Sequence, residues 1–63
     1  MNFKFGDVIE NEWASEDNPT RIGIYVRKVT KGHELTNGKG SFWTLANDNL
    51  RVKVLGSVLK SDI

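Results

Sequence analysis

Short apolar runs alternate with turn-forming residues along the whole chain. Phe3-Lys4-Phe5, Ile22-Gly23-Ile24-Tyr25-Val26, Phe42-Trp43-Thr44-Leu45 and Arg51-Val52-Lys53-Val54 lie between Gly6-Asp7, Asn18-Pro19, Asn37-Gly38 and Asn47-Asp48-Asn49. Runs of this length, bounded by Gly, Pro, Asn and Asp, predict strands and leave little room for a helix. A first strand is expected over 3–5, with Phe3 and Phe5 on one face by the two-residue period. Gly6-Asp7 then makes a turn or bulge before Val8 and Ile9 resume the apolar pattern. A polar loop follows from Glu10 to Thr20, closed by Asn18-Pro19, where Pro presets φ and pushes Asn18 towards an extended conformation.

In the second strand Ile22, Ile24 and Val26 are expected to point inward, with Gly23, Tyr25 and Arg27 outward. Lys31-Gly32 reads as a turn, and 33–36 as a short third strand with Leu35 inward. Asn37-Gly38 fits a type I′ hairpin; with Lys39-Gly40 behind it, a longer loop with a bulge fits equally well. The fourth strand spans 41–46 with Trp43 and Leu45 on the core face. Asn47 to Leu50 suits one turn of 3₁₀-helix. The last strand spans 51–55 with Val52 and Val54 inward, and 57–63 continues as an edge, docks or frays.

At 63 residues the chain allows one domain over 1–63, near the lower size at which a chain folds without staples. It has no Cys, so neither a disulfide nor a Cys-based zinc site can hold it together. Its two Trp, three Phe and one Tyr must carry much of the core. No apolar run approaches a membrane span and no signal-peptide pattern opens the chain. Met1 leads straight into patterned sequence, so a complete small cytoplasmic protein is expected. A net charge of +1 exerts no global pull on nucleic acid or lipid. The charges are nevertheless segregated: Asp7, Glu10, Glu12, Glu16 and Asp17 come first, and Arg21, Arg27, Lys28, Lys31 and Lys39 follow.

Five short strands, a long first loop and a tight 3₁₀-like turn before the last strand together predict an all-β, five-stranded SH3-like barrel. Gly6-Asp7-Val8 resembles the Gly-Asp turn that opens many bacterial SH3-like domains. The block from Asn11 to Arg21, with Gly38-Lys39-Gly40-Ser41-Phe42-Trp43 downstream, resembles small phage- or prophage-encoded SH3-like proteins of unassigned function. That resemblance covers most of the chain and implies an origin and a fold, with a bacterial host cytoplasm as the setting. The Ala-Leu-Tyr-Asp-Tyr motif of peptide-binding SH3 domains is absent, which argues against polyproline recognition.

The candidate chemistry is thin. His33 is the only His, one imidazole cannot furnish a zinc site, and a solvated strand histidine is the plain reading. No Cys nucleophile or phosphate-cradling loop is present. Glu10 and Glu12 share a face if extended, a spacing that any acidic loop can show by chance. Neither an enzyme, a metal nor a cofactor is expected. Binding fits better. Trp13 stands in the acidic loop either as a lid over one barrel end or as an exposed anchor, flanked by Glu10, Glu12, Glu16 and Asp17. Phe42 either packs on Tyr25 across strands or joins that patch. A host or phage protein is the expected partner. The alternative is weak nucleic-acid binding by Tyr25, Arg27, Lys28, Lys31 and Lys39, with Tyr25 as a stacking platform.

Overall fold

The computed structural model describes residues 3–49 and 51–59. Five antiparallel strands make one unclosed sheet: β1 (Asp7–Asn11), β2 (Ile22–Val29), β3 (Gly32–Thr36), β4 (Phe42–Ala46) and β5 (Val52–Ser57). The order across the sheet is β4-β3-β2-β1-β5, a meander whose first and last strands pair, and no helix occurs among the described residues. This all-β arrangement is compatible with a small SH3-like barrel.

The first strand starts later than the period of Phe3 and Phe5 suggests. Gly6 takes φ 91°, and Asp7 N–H donates to Lys4 O at 2.9 Å, so 4–7 is a turn. The Asp7 carboxylate tightens it by accepting from Lys4 N–H at 2.9 Å. Phe3 still packs against the core, but from outside the strand, and Phe5 is exposed. β1 then continues through Asn11, so the loop begins later as well. That loop is a series of turns: Ala14 N–H donates to Asn11 O, Asn18 N–H to Ser15 O, and Arg21 N–H to Asn18 O. Pro19 stands at the second position of the last turn, which its fixed φ favours.

β2 is turned over relative to expectation. Gly23 and Tyr25 face the core, while Ile22 is 47% exposed and Ile24 and Val26 are half-buried. The period correctly predicts which residues share a face, but packing reverses the choice of face. A Cβ on Gly23 would lie 2.5 Å from Cζ2 of Trp43, so the Trp43 ring occupies the space that the missing side chain leaves. A register shift between Tyr25 and Arg27 marks a bulge. Such a bulge bends a strand and strengthens its twist.

The buried core is Ile9, Tyr25, Leu35 and Leu45, with Phe3, Trp43 and Val52 packed on it. Leu35, Leu45, Trp43 and Val52 occupy their expected face. Val54 lies on that side too, opposite Ile9, but it is not buried as expected: it is 49% exposed on the edge strand. Gly32 belongs to β3 rather than to the turn before it.

The 37–41 connection adopts the longer loop, with Gly38 and Gly40 at positive φ and the Asn37 carboxamide oxygen accepting from Lys39 and Ser41 N–H. The tight turn before β5 is closed by Asn49 N–H donating to Ala46 O at 3.2 Å; Leu50, which was expected to complete it, lies outside the described residues. Of the 57–63 segment, Ser57 ends β5 and Val58 N–H donates to Gly6 O, so this part docks; 60–63 lie outside the described residues.

Candidate functional site

Two places carry chemistry: the loop between β1 and β2, and a cavity at the open side of the sheet. In the loop Trp13 is 68% exposed, which overturns its reading as a core lid. The Arg51 guanidinium stands 5.3 Å from its ring centroid, an arrangement that holds the indole without burying it. Asn11 acts as the hinge. Its carboxamide oxygen accepts from Trp13 N–H at 3.1 Å and from the Asn49 amide at 3.0 Å, tying the loop to the β4–β5 turn.

The carboxylates of this region divide into two sets. Glu10 accepts from Arg21 Nε at 2.9 Å and lies 3.6 Å from Lys53 Nζ. Glu12 lies 3.4 Å from the same Lys53 and 3.9 Å from Arg51. Both are therefore committed to partners within the chain, because β1–β5 pairing places Glu10 opposite Lys53. Arg21 also donates to Ala14 O at 2.6 Å, fixing the loop's return. Glu16 and Asp17 are exposed and make no ion pair among the described residues; Asp17 accepts only from the Ser15 hydroxyl. Phe42 is 59% exposed, beside Thr36 on the face opposite Tyr25. It does not pack on Tyr25, and it stands on the edge strand farthest from β5.

The basic residues do not assemble into one surface. Tyr25 is buried and cannot serve as a stacking platform. Arg27 is paired with Glu34 at 2.9 Å. Lys31 and Lys39 lie in the turns at opposite ends of β3.

Lys28 instead faces the cavity, a space of about 310 Å³ between β2, β3 and the β4–β5 turn. Phe3, Leu45 and Val52 supply its apolar wall, and Lys28, His33 and Asn47 supply polar groups. His33 is buried, not solvated. Its Nδ1 is 3.1 Å from the Tyr25 hydroxyl, and the Phe3 ring meets it edge-on at 5.1 Å between centroids. Burial, reinforced by the Lys28 charge, holds the imidazole below its ordinary 6.5; burial also raises the Tyr25 phenol, which keeps its proton. The pattern marked only His33, which shares a face of β3 with Leu35; for Tyr25 it pointed the other way, taking the face of Ile22, Ile24 and Val26 as the inner one. Lys28 was marked only as a candidate nucleic-acid contact, and nothing local marks Asn47.

Acid stability should reflect these groups. A His whose folded value is lowered favours its neutral form in the native state, so its contribution is complete above 6.5 and declines as pH falls below it. Glu10 is held below its ordinary 4.5, chiefly by the hydrogen bond from Arg21, with partial desolvation opposing and the Arg21 and Lys53 charges assisting. Its contribution is present above 4.5 and is lost as pH falls through the lowered value. Melting temperatures should therefore fall in two stages. His33→Gln should remove the first slope and Glu10→Gln the second; unchanged slopes would refute the assignment.

No family model, curated protein or solved structure matches the chain significantly. Among the described residues no helix is long and apolar enough to cross a membrane.

Proposed function

We propose that this chain is a small, non-enzymatic protein-binding module of a phage or prophage, acting in the bacterial cytoplasm on a host or phage protein. The supporting observation is Trp13: a large aromatic, 68% exposed, on a loop braced by consecutive turns and by Arg51. A rigid loop presenting an indole loses little conformational entropy on association, and aromatic anchors of this kind dominate interface energetics. Glu16 and Asp17, unlike Glu10 and Glu12, remain available to a basic partner segment. They act mainly on association rate, as rim charges do. The dispersal of Lys31 and Lys39, with Tyr25 buried, favours a protein over a nucleic acid.

Capture from a bacterial lysate by the wild-type chain and by Trp13→Ala tests this. The substitution should reduce partner affinity by at least about 2 kcal/mol, roughly 30-fold. It should change stability by no more than about 0.5 kcal/mol, as exposed positions do. Undiminished capture by the variant would overturn the assignment. So would capture that disappears on nuclease treatment and falls steeply with salt, the behaviour of nucleic-acid binding.

A further inference from the structure

We propose that the cavity between β2, β3 and the β4–β5 turn binds a small organic monocarboxylate, its apolar body against Phe3, Leu45 and Val52 and its carboxylate towards Lys28, His33 and Asn47. The volume of about 310 Å³ lies at the small end of ligand pockets, enough for one ring or a short branched chain. The lining is divided as such sites are, with an apolar wall and a few polar groups that set orientation.

The sign of the ligand follows from the polar groups. Lys28 brings a fixed positive charge, and no carboxylate is found among the described lining residues. Glu10 and Glu12 are held by Arg21, Lys53 and Arg51, and Glu34 by Arg27; Asp48, exposed in the turn between Asn47 and Asn49, is the nearest acid in sequence and is not part of the lining. His33 Nδ1 is paired with the Tyr25 hydroxyl, and in the tautomer where that hydroxyl donates, Nε2 carries the proton and has an N–H to offer. Asn49, also in the lining, is held in place: its amide donates to Asn11 and its oxygen accepts from Arg51 N–H at 2.8 Å. It acts as a fixed wall. Asn47 makes no side-chain hydrogen bond among the described residues. The available groups are thus a cation, an imidazole and the Asn47 carboxamide, whose N–H can donate; the Lys28 charge is what favours an anion over a metal or an amine. A single cation with neutral donors suits one negative charge better than two.

This site is independent of the Trp13 loop, and either can fail without the other. Benzoate, with benzamide as its uncharged counterpart and acetate as its truncated one, probes the cavity in a nuclear magnetic resonance titration of the ¹⁵N-labelled full chain. Benzoate should cause saturable shifts at Lys28, His33 and Asn47, with benzamide at least about tenfold weaker because it forfeits a charge-assisted hydrogen bond. Acetate should also be weaker, because it leaves the apolar wall unfilled. Lys28→Gln, a change at an exposed side chain that leaves the core untouched, should weaken benzoate about tenfold and leave benzamide unchanged. The proposal is overturned if wild type shows no saturable shift at these residues, if benzamide or acetate binds as well as benzoate, or if Lys28→Gln binds benzoate like wild type.

Discussion

Ile9→Ala is expected to lower stability by about 2–5 kcal/mol, the range for emptying a buried aliphatic site. Ile9 is fully buried on β1, the strand that joins β2 to β5, so its cavity would open between both neighbours. A domain of this length has roughly 3–9 kcal/mol in total at ordinary stability per residue, so a large fraction of molecules would unfold. Val54→Ala is the contrast. Val54 lies opposite Ile9 on β5 but is 49% exposed, and the same kind of truncation should cost about 1 kcal/mol or less. Urea denaturation of both variants checks the pair; equal losses would mean that the core is not centred on β1.

Gly32→Ala should be as damaging, for a different reason. A Cβ there would run into the backbone carbonyl of Leu45, and no flexible side chain is present to yield. Gly32 pairs with Ala46 and its neighbour His33 with Leu45, so β3 and β4 would have to separate where Leu45 enters the core. Overpacking that side chains can absorb costs about 1–3 kcal/mol; a backbone clash belongs at or above the upper end. Gly56→Ala is the control, since a Cβ at Gly56 meets nothing within 4 Å. Its effect should stay within about 0.5 kcal/mol. Thermal melts, with hydrogen exchange at the β4 amides, would show the separation. Intact protection in β4 would refute it.

The strands themselves were legible. β2, β3 and β4 lie where apolar alternation and turn residues place them, and Leu35, Trp43 and Leu45 face as their period requires. What alternation cannot convey is which side of a strand is inside. In β2 three β-branched residues on one face outweigh one Tyr and a Gly by hydrophobicity, yet the Tyr side is buried. The reason is tertiary: Trp43 needs the space above Gly23, and the Tyr25 hydroxyl finds His33. β1 was displaced because Gly6 at positive φ ends the Phe3–Phe5 pattern in a turn.

The site was half legible. A Trp among acidic residues marked the loop as unusual, and its exposure follows from a composition that offers nothing to bury it against. The division of the acids could not be read locally. Lys53 and Arg51 reach Glu10 and Glu12 only because the two ends of the chain pair.

That pairing also orders the assembly of the molecule. The contacts within β2–β3–β4 are local, as in the Arg27–Glu34 pair, 7 positions apart. The Asn11–Asn49 bond closes a segment of 38 positions. By the logarithmic dependence of loop-closure entropy on length, the longer closure costs about 1.5 kcal/mol more. The meander can therefore form first, leaving the union of β1 with β5 as the late, slow event of folding. Unfolding would run the other way, with β5 lifting from β1 and baring Ile9 while the central hairpins persist.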